Sequence, residues 1–153
     1  MSITKMVGRR RVASLIAAAL IGFMALLVAP SQASAASNPC GSSYAQIKAY
    51  PMYNTSLRLV GYLRVYYSSA SGKNCAIAWA AGPDLGVKRF RLVGIELSGT
   101  YNMDFDNGYY TTYAGPVYTP VSARGRCINL VAYFGTSPTA KYSRIDLNNV
   151  HCG

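Results

Sequence analysis

Hydrophobic residues recur at every second position along much of the chain after residue 36, which is the period of a β-strand rather than of a helix. In residues 62–67 the odd positions share one face, which we expect in the core, and the even positions share the other. Residues 69–72 have turn composition, and the odd positions of residues 75–79 again share a face. The two runs predict an antiparallel hairpin that ends at the turn-forming residues 82–84.

A second block of alternation covers residues 87–97, where Arg89 and Arg91 alternate with Phe90 and Leu92. This pattern predicts a strand whose outer edge is basic. Residues 104–108, which read Asp-Phe-Asp-Asn-Gly, predict a turn, because Asn-Gly is a strong signal for a tight hairpin.

The remaining strand-like segments are shorter. Residues 109–119 contain Gly115 and Pro116, which predict an edge strand or a bulge because proline cannot donate to the ladder. Residues 127–134 alternate again, and residues 142–147 form the last segment. About seven short strands without a helical segment predict an all-β fold, a small single-domain antiparallel sandwich or barrel with two disulfides.

The first 35 residues have the three parts of a secretion signal peptide: a basic start, an apolar stretch from 12 to 29, and small residues before a cleavage site after Ala35 or Ala36. The alternative is a retained membrane anchor, since about 18 apolar residues can span a bilayer. Pro30 and the small residues after it favour cleavage. We therefore expect residues 36–153 to form one secreted, extracellular domain without a transmembrane segment.

The chain is basic, with 15 Lys and Arg against five Asp and Glu and a formal net charge of +10. Removal of residues 1–35 takes away four cations and no carboxylate, and leaves a formal charge of +6. The cations Lys88, Arg89 and Arg91 are a candidate patch for an anionic partner such as an envelope component. Specific binding of nucleic acid is not expected, because no recognised binding motif is present. The oligomeric state is left open.

Four cysteines, Cys40, Cys75, Cys127 and Cys152, allow three disulfide pairings. We favour Cys40 with Cys75 and Cys127 with Cys152, because each of these pairs ties a terminal segment to a nearby strand. A metal site would need thiolates at short spacing, and the chain has no Cys-x-x-Cys. An oxidising destination also favours disulfides, so neither a metal nor another cofactor is predicted.

Few residues could carry catalysis. His151 is the only histidine, and a position two residues from the end predicts fraying rather than a fixed base. Asp104 and Asp106 are the only carboxylate cluster, which could serve a hydrolase or bind calcium. Aspartates in a turn more commonly cap their own backbone, so we expect a structural role. No catalytic residue is predicted, and the protein is not expected to be an enzyme.

Several segments resemble the spore-associated protein A family, which are small exported proteins of filamentous, spore-forming actinobacteria. The segments are residues 40–44 (CGSSY), 61–67 (GYLRVYY), 72–75 (GKNC), 113–118 (YAGPVY), 125–127 (GRC) and 152–153 (CG). The resemblance implies association with the spore surface or release around aerial growth, and it supplies no catalytic residue. Residues 87–103 depart most from the family, with more basic residues.

Together these observations predict a non-enzymatic secreted protein of the spore or cell surface. The alternatives are a basic secreted antagonist, meaning a small toxin or inhibitor, and a secreted hydrolase that uses Asp104 and Asp106.

Overall fold

The computed structural model describes residues 38–153, so the predicted signal peptide and its cleavage site lie outside the described residues and stay predictions. Eight strands follow one another along the chain: β1 (Ala45–Tyr53), β2 (Leu59–Ser68), β3 (Lys73–Ala80), β4 (Arg89–Leu97), β5 (Met103–Tyr110), β6 (Tyr113–Tyr118), β7 (Ile128–Gly135) and β8 (Lys141–Val150). A single turn of 3₁₀ helix, Gly82–Asp84, lies between β3 and β4.

The strands form two four-stranded antiparallel sheets. The first sheet has the order β1-β2-β3-β6, and the second has the order β5-β4-β7-β8. The two sheets pack face to face, so the predicted all-β fold is confirmed, and it is a sandwich rather than a closed barrel. Within residues 38–153, no helix has the length and apolar character needed to cross a membrane.

The core lies between the inner faces of the two sheets. Its central residues are Leu63 and Val65 on β2, Ala76 and Ala78 on β3, Val93, Ile95 and Leu97 on β4, and Ile128, Leu130, Ala132 and Phe134 on β7. Full burial of each large aliphatic or aromatic side chain stabilises the fold by about 1.5–3 kcal/mol. Gly61 leaves room for the ring of Phe134, because a Cβ at that position would overlap the ring.

The predicted hairpin is β2 and β3. Leu63 and Val65 lie in the core as expected. Cys75 and Ile77 share the opposite face of β3, where they form a second buried cluster with Cys40 and Tyr66. β3 is therefore buried on both faces, which explains why hydrophobic and polar residues do not alternate clearly along it. The residues of β3 that face the second sheet are alanines.

Two disulfides fasten the first described turn and the last residues of the chain to the sandwich. Cys40 is bonded to Cys75, and Cys127 is bonded to Cys152, which is the pairing that the sequence favoured. The bonds close loops with sequence separations of 35 and 25 residues. Loops of this length correspond to about 3.5 kcal/mol of stabilisation per disulfide in the chain-entropy model.

The turn predicted at residues 104–108 is wrong, because these residues lie inside β5. Asn107 pairs with Leu92 of β4, and the hairpin turn lies earlier, at residues 98–102. Thr100 stabilises that turn, since its N–H and its hydroxyl both donate to the carbonyl oxygen of Leu97. Pairing with β4 therefore overrides the local Asn-Gly preference.

The edge strands carry the irregularities. β1 was not predicted, because it is mostly exposed and its register shifts twice, between Gln46 and Lys48 and between Met52 and Tyr53. The sequence also merged residues 109–119 into one strand, whereas they end β5 and form β6. The prediction of an edge strand or bulge around Gly115 and Pro116 is confirmed, since β6 is at the edge of its sheet and its register with β3 shifts.

Candidate functional site

Arg91 does not belong to an exposed basic edge, because its side chain is 0% exposed. Strand alternation places it on the inner face of β4 with Val93, and its guanidinium lies 5.4 Å from the centre of the Phe134 ring. The predicted orientation of β4 was therefore inverted at this end. Phe90, which was expected inside, faces outward and is covered by Tyr109 and Tyr133.

The buried guanidinium of Arg91 organises the loop that precedes β4. It donates to the carbonyl oxygens of Asp84 at 2.9 Å, Val87 at 3.2 Å and Arg89 at 3.4 Å. Burial lowers the pKa of Arg91, and the nearby Asp84 opposes that shift. Arginine suits this position because its planar fork carries five donors. Periodicity alone gives no signal that a cation lies on the inner face.

Asp84 connects the same loop to β8. Its carboxylate is buried and accepts a hydrogen bond from the hydroxyl of Tyr142. Burial, followed by this hydrogen bond, raises the pKa of Tyr142 well above its usual value. The loop at residues 81–88 is thus held from both sides, by Arg91 and by Tyr142.

Only part of the predicted cationic patch faces solvent. Lys88 is exposed and Arg89 is half-buried, whereas Arg91 is inaccessible. The binding of an anionic partner by Lys88 and Arg89 stays a prediction. Arg58 is also exposed, on the loop between β1 and β2.

Asp104 and Asp106 join the two sheets along one side of the sandwich. The carboxylate of Asp104 accepts the backbone N–H of Tyr118 at 2.9 Å, and that of Asp106 accepts the backbone N–H of Gly115 at 2.7 Å. Asp106 also accepts the hydroxyl of Tyr110 at 2.7 Å, which raises the pKa of Tyr110 to about 12. Both carboxylates therefore bond the edge strand β6 instead of capping their own turn.

His151 is fixed in place, contrary to the expectation that the chain end would fray. Its Nε2 lies 3.1 Å from the hydroxyl of Tyr50, and the neighbouring Cys152 is held by its disulfide. Burial, followed by the charge of Lys48, lowers the pKa of His151. The side chain borders a cavity of about 270 Å³ whose other walls include Ile47 and Tyr67.

Each of the five carboxylates of the chain accepts a hydrogen bond or forms an ion pair with another residue of the chain. Besides the three aspartates described above, Glu96 accepts from the amide of Asn129 at 2.6 Å, and Asp146 pairs with Arg144 at 2.5 Å. Among residues 38–153, no group of three or more His, Cys, Asp or Glu side chains is arranged to hold a metal ion.

A stacked column of planar groups crosses the outer face of the first sheet. The rings of Trp79 and Tyr113 stack with centroids 5.0 Å apart and an interplanar angle of 20°. The guanidinium of Arg64 lies 4.6 Å from the centre of the Trp79 ring. The sequence indicated a common face for Trp79 but not this stacking, which depends on the pairing of β3 with β6.

Comparison with known proteins gives one informative match. No family model matches the chain, and no solved structure matches it either. The chain is 30% identical to Spore-associated protein A of Streptomyces coelicolor, and the alignment covers 85% of this chain and 83% of that protein. The chain belongs to the spore-associated protein A family.

Proposed function

We propose that the protein is a non-enzymatic secreted protein that associates with the spore or cell surface. The name of its relative, Spore-associated protein A, supports the location. The two disulfides support export, because disulfides persist in oxidising compartments and are rare in the cytosol. The predicted signal peptide at residues 1–35 points in the same direction.

The observation that supports a non-enzymatic role is that the side chains capable of acid–base chemistry form hydrogen bonds or an ion pair with other residues of the chain. Each of the five carboxylates bonds a group within the fold, and the only histidine bonds Tyr50. A general acid or base must reach a substrate proton. Acceptance of main-chain N–H donors by Asp104 and Asp106 supports a role for both in the scaffold.

The architecture suits a protein that must persist outside the cell. The disulfides attach the first described turn to β3 and the last residues to the start of β7. Chain ends are ordinarily the places where proteolysis and fraying begin. If residues 1–35 are cleaved as predicted, covalent attachment close to both ends of the mature chain limits fraying and so supports persistence outside the cell.

Fractionation of a sporulating culture tests the proposal. Spores, vegetative cells and medium are separated and probed with an antibody against the chain, and an intracellular protein serves as the control for lysis. We expect the protein in the washed spore or cell-surface fraction, accessible to added protease. Accumulation inside cells would overturn the proposal, and so would release into the medium together with growth inhibition of other microorganisms, which marks an antagonist.

A further inference from the structure

Three exposed aliphatic side chains project from loops at one end of the sandwich. Leu57 is 84% exposed, Leu85 is 56% exposed and Val87 is 39% exposed. Leu57 lies in the loop between β1 and β2, and the other two lie in the loop between β3 and β4. Single exposed apolar residues are normal on protein surfaces, so the question is whether these three are neighbours.

The two loops are in contact. The N–H of Ala81 donates to the carbonyl oxygen of Val60 at 2.9 Å. A Cβ on Gly82 would lie only 2.5 Å from the carbonyl oxygen of Leu59, so the backbones touch there. Leu57 is two residues from Leu59, and Leu85 is three residues from Gly82. The exposed aliphatic side chains therefore lie on two loops whose backbones touch at one end of the sandwich.

Leu57 has a backbone conformation that leucine rarely adopts, with φ of 58°. The surrounding turn enforces it. The side-chain oxygen of Asn54 accepts the N–H groups of Ser56 at 3.0 Å and Arg58 at 2.9 Å, and the N–H of Leu57 donates to the carbonyl oxygen of Asn54 at 2.9 Å. Glycine or asparagine would fit this position with less strain. Packing does not explain leucine here, because the side chain is in solvent.

The same surface is cationic. Arg58 and Lys88 are exposed beside the aliphatic side chains. The one carboxylate of residues 54–58 and 81–88 belongs to Asp84, which is buried and bonded to Tyr142. This end of the sandwich thus presents aliphatic groups and positive charge without an exposed negative charge in either loop.

We propose that the loops at residues 54–58 and 81–88 bind an anionic lipid layer, with Leu57, Leu85 and Val87 entering the apolar zone and Arg58 and Lys88 contacting headgroup phosphates. Largely exposed aliphatic tips cannot enclose a compact ligand, but they can enter a fluid interface. Cations next to such tips add attraction to anionic lipid. The inference rests on the proposed surface association and names the contact that would produce it.

The opposite end of the sandwich is less suited to this role. Its exposed apolar residues are Tyr101 and Val121, of which one carries a hydroxyl group. Two of its cations are used within the fold, since Lys73 donates to the carbonyl oxygen of Pro120 at 3.0 Å and Arg124 donates to the carbonyl oxygen of Ser69, whereas Arg126 is exposed. This end therefore supplies matched control positions.

Vesicle co-sedimentation tests the inference on the purified exported protein with its disulfides intact. Vesicles contain either phosphatidylcholine alone or phosphatidylcholine with phosphatidylglycerol. We expect binding to the anionic vesicles only, and a loss of about tenfold in the double variant Leu57→Asn, Leu85→Ser, since each buried methylene contributes to partitioning. Lys88→Gln should also weaken binding, whereas Val121→Ser and Arg126→Gln at the opposite end should bind like the unmodified protein.

Leu57→Asn gives the sharpest single measurement. Because asparagine tolerates the left-handed conformation, the melting temperature should stay the same or rise while lipid binding falls. A folding defect would lower both the melting temperature and lipid binding. Equal binding by all variants, or equal binding to neutral vesicles, would overturn the inference. So would complete competition by soluble polyphosphate with no effect of the leucine changes, which indicates an anionic polymer site.

The outcomes separate this inference from the proposed function. If the protein is found on spores but does not bind anionic vesicles, the proposed function stands and the lipid-binding inference is overturned. If the protein binds anionic vesicles through Leu57 but is never found on spores or cells, the proposed surface association is overturned.

Discussion

The carboxylate of Asp106 accepts the backbone N–H of Gly115 at 2.7 Å and so joins β5 of the second sheet to β6 of the first. Asp104 repeats this arrangement with the N–H of Tyr118 at 2.9 Å. Edge strands expose unpaired N–H groups that can template aggregation. Here two side chains satisfy such groups, so one side of the sandwich is closed without a continuous ladder between the sheets.

Replacement of Asp106 by asparagine should therefore destabilise the fold. The amide keeps one acceptor oxygen but cannot accept from both Gly115 and Tyr110 as a charged carboxylate does. We expect the free energy of unfolding to fall by about 1.5–3 kcal/mol, the range for hydrogen bonds to charged groups. Urea unfolding of the disulfide-intact protein measures this change.

Asp146→Asn is the matched control for that measurement. Asp146 pairs with Arg144 on the exposed surface of β8. Exposed ion pairs contribute about 0–1 kcal/mol. Equal effects of the two substitutions on the free energy of unfolding would contradict the sheet-joining role of Asp106. Loss of a measurable turnover in folded Asp106→Asn would instead support the alternative of a secreted hydrolase.

Arg91→Lys should be strongly destabilising although the charge is kept. Lysine cannot reproduce the planar fork that donates to the carbonyl oxygens of Asp84, Val87 and Arg89. It would leave buried acceptors unsatisfied around a buried cation, at a cost of about 2–4 kcal/mol. Urea unfolding should show this loss, whereas exposed Lys88→Gln should stay within about 0.5 kcal/mol. A small effect at Arg91 would mean that the guanidinium does not organise the loop.

His151 should make stability depend on pH on the acidic side. Because burial lowers its pKa, the folded state favours the neutral ring. This contribution is complete above the unfolded pKa of about 6.5 and is lost as the pH falls through the lower folded value. Urea unfolding at pH 7.5 and pH 5.0 should show a smaller pH dependence in His151→Asn than in the unmodified protein.

Asparagine is the appropriate substitute because His151 has φ of 52°, a conformation that asparagine tolerates. Tyr50→Phe provides the companion variant, since it removes the hydroxyl at 3.1 Å but keeps the buried imidazole. It should retain the acidic dependence. An unchanged pH dependence in His151→Asn would assign the effect to another group.

The sequence predicted the fold wherever alternation was combined with one buried face. The runs around Leu63 and Val65 and the strand beginning near Cys127 fall where expected, because one buried face imposes period two. The sequence-based prediction failed where contacts outside the strand itself determine the structure. Asn107 has the composition of a turn residue but pairs with β4, and Arg91 has the character of a surface cation but is enclosed by the carbonyl oxygens of the loop that precedes β4.

Identification of the candidate site required tertiary structure even more than identification of the strands did. Lys88 was identified by its charge, but Leu57 carries no sequence signal, since neither its left-handed backbone nor its exposure follows from periodicity. Leu85, on the other loop of the proposed surface, is 28 positions away in the chain. The proximity of the two loops follows from the pairing of β2 with β3.

Arg64→Gln should change the environment of Trp79, which is the only tryptophan in the chain. The Trp79 ring lies between the Arg64 guanidinium at 4.6 Å and the Tyr113 ring at 5.0 Å. Loss of the guanidinium uncovers one ring face to water and removes a cation–π contact worth about 0.5–1 kcal/mol at an exposed site. We expect the tryptophan emission maximum to shift to longer wavelength and acrylamide quenching to increase, with a matching small loss in urea stability. Arg58→Gln, on a loop outside the stack, should leave both spectra and stability unchanged. Identical emission and quenching in Arg64→Gln and Arg58→Gln would show that Arg64 does not cover the indole ring in solution.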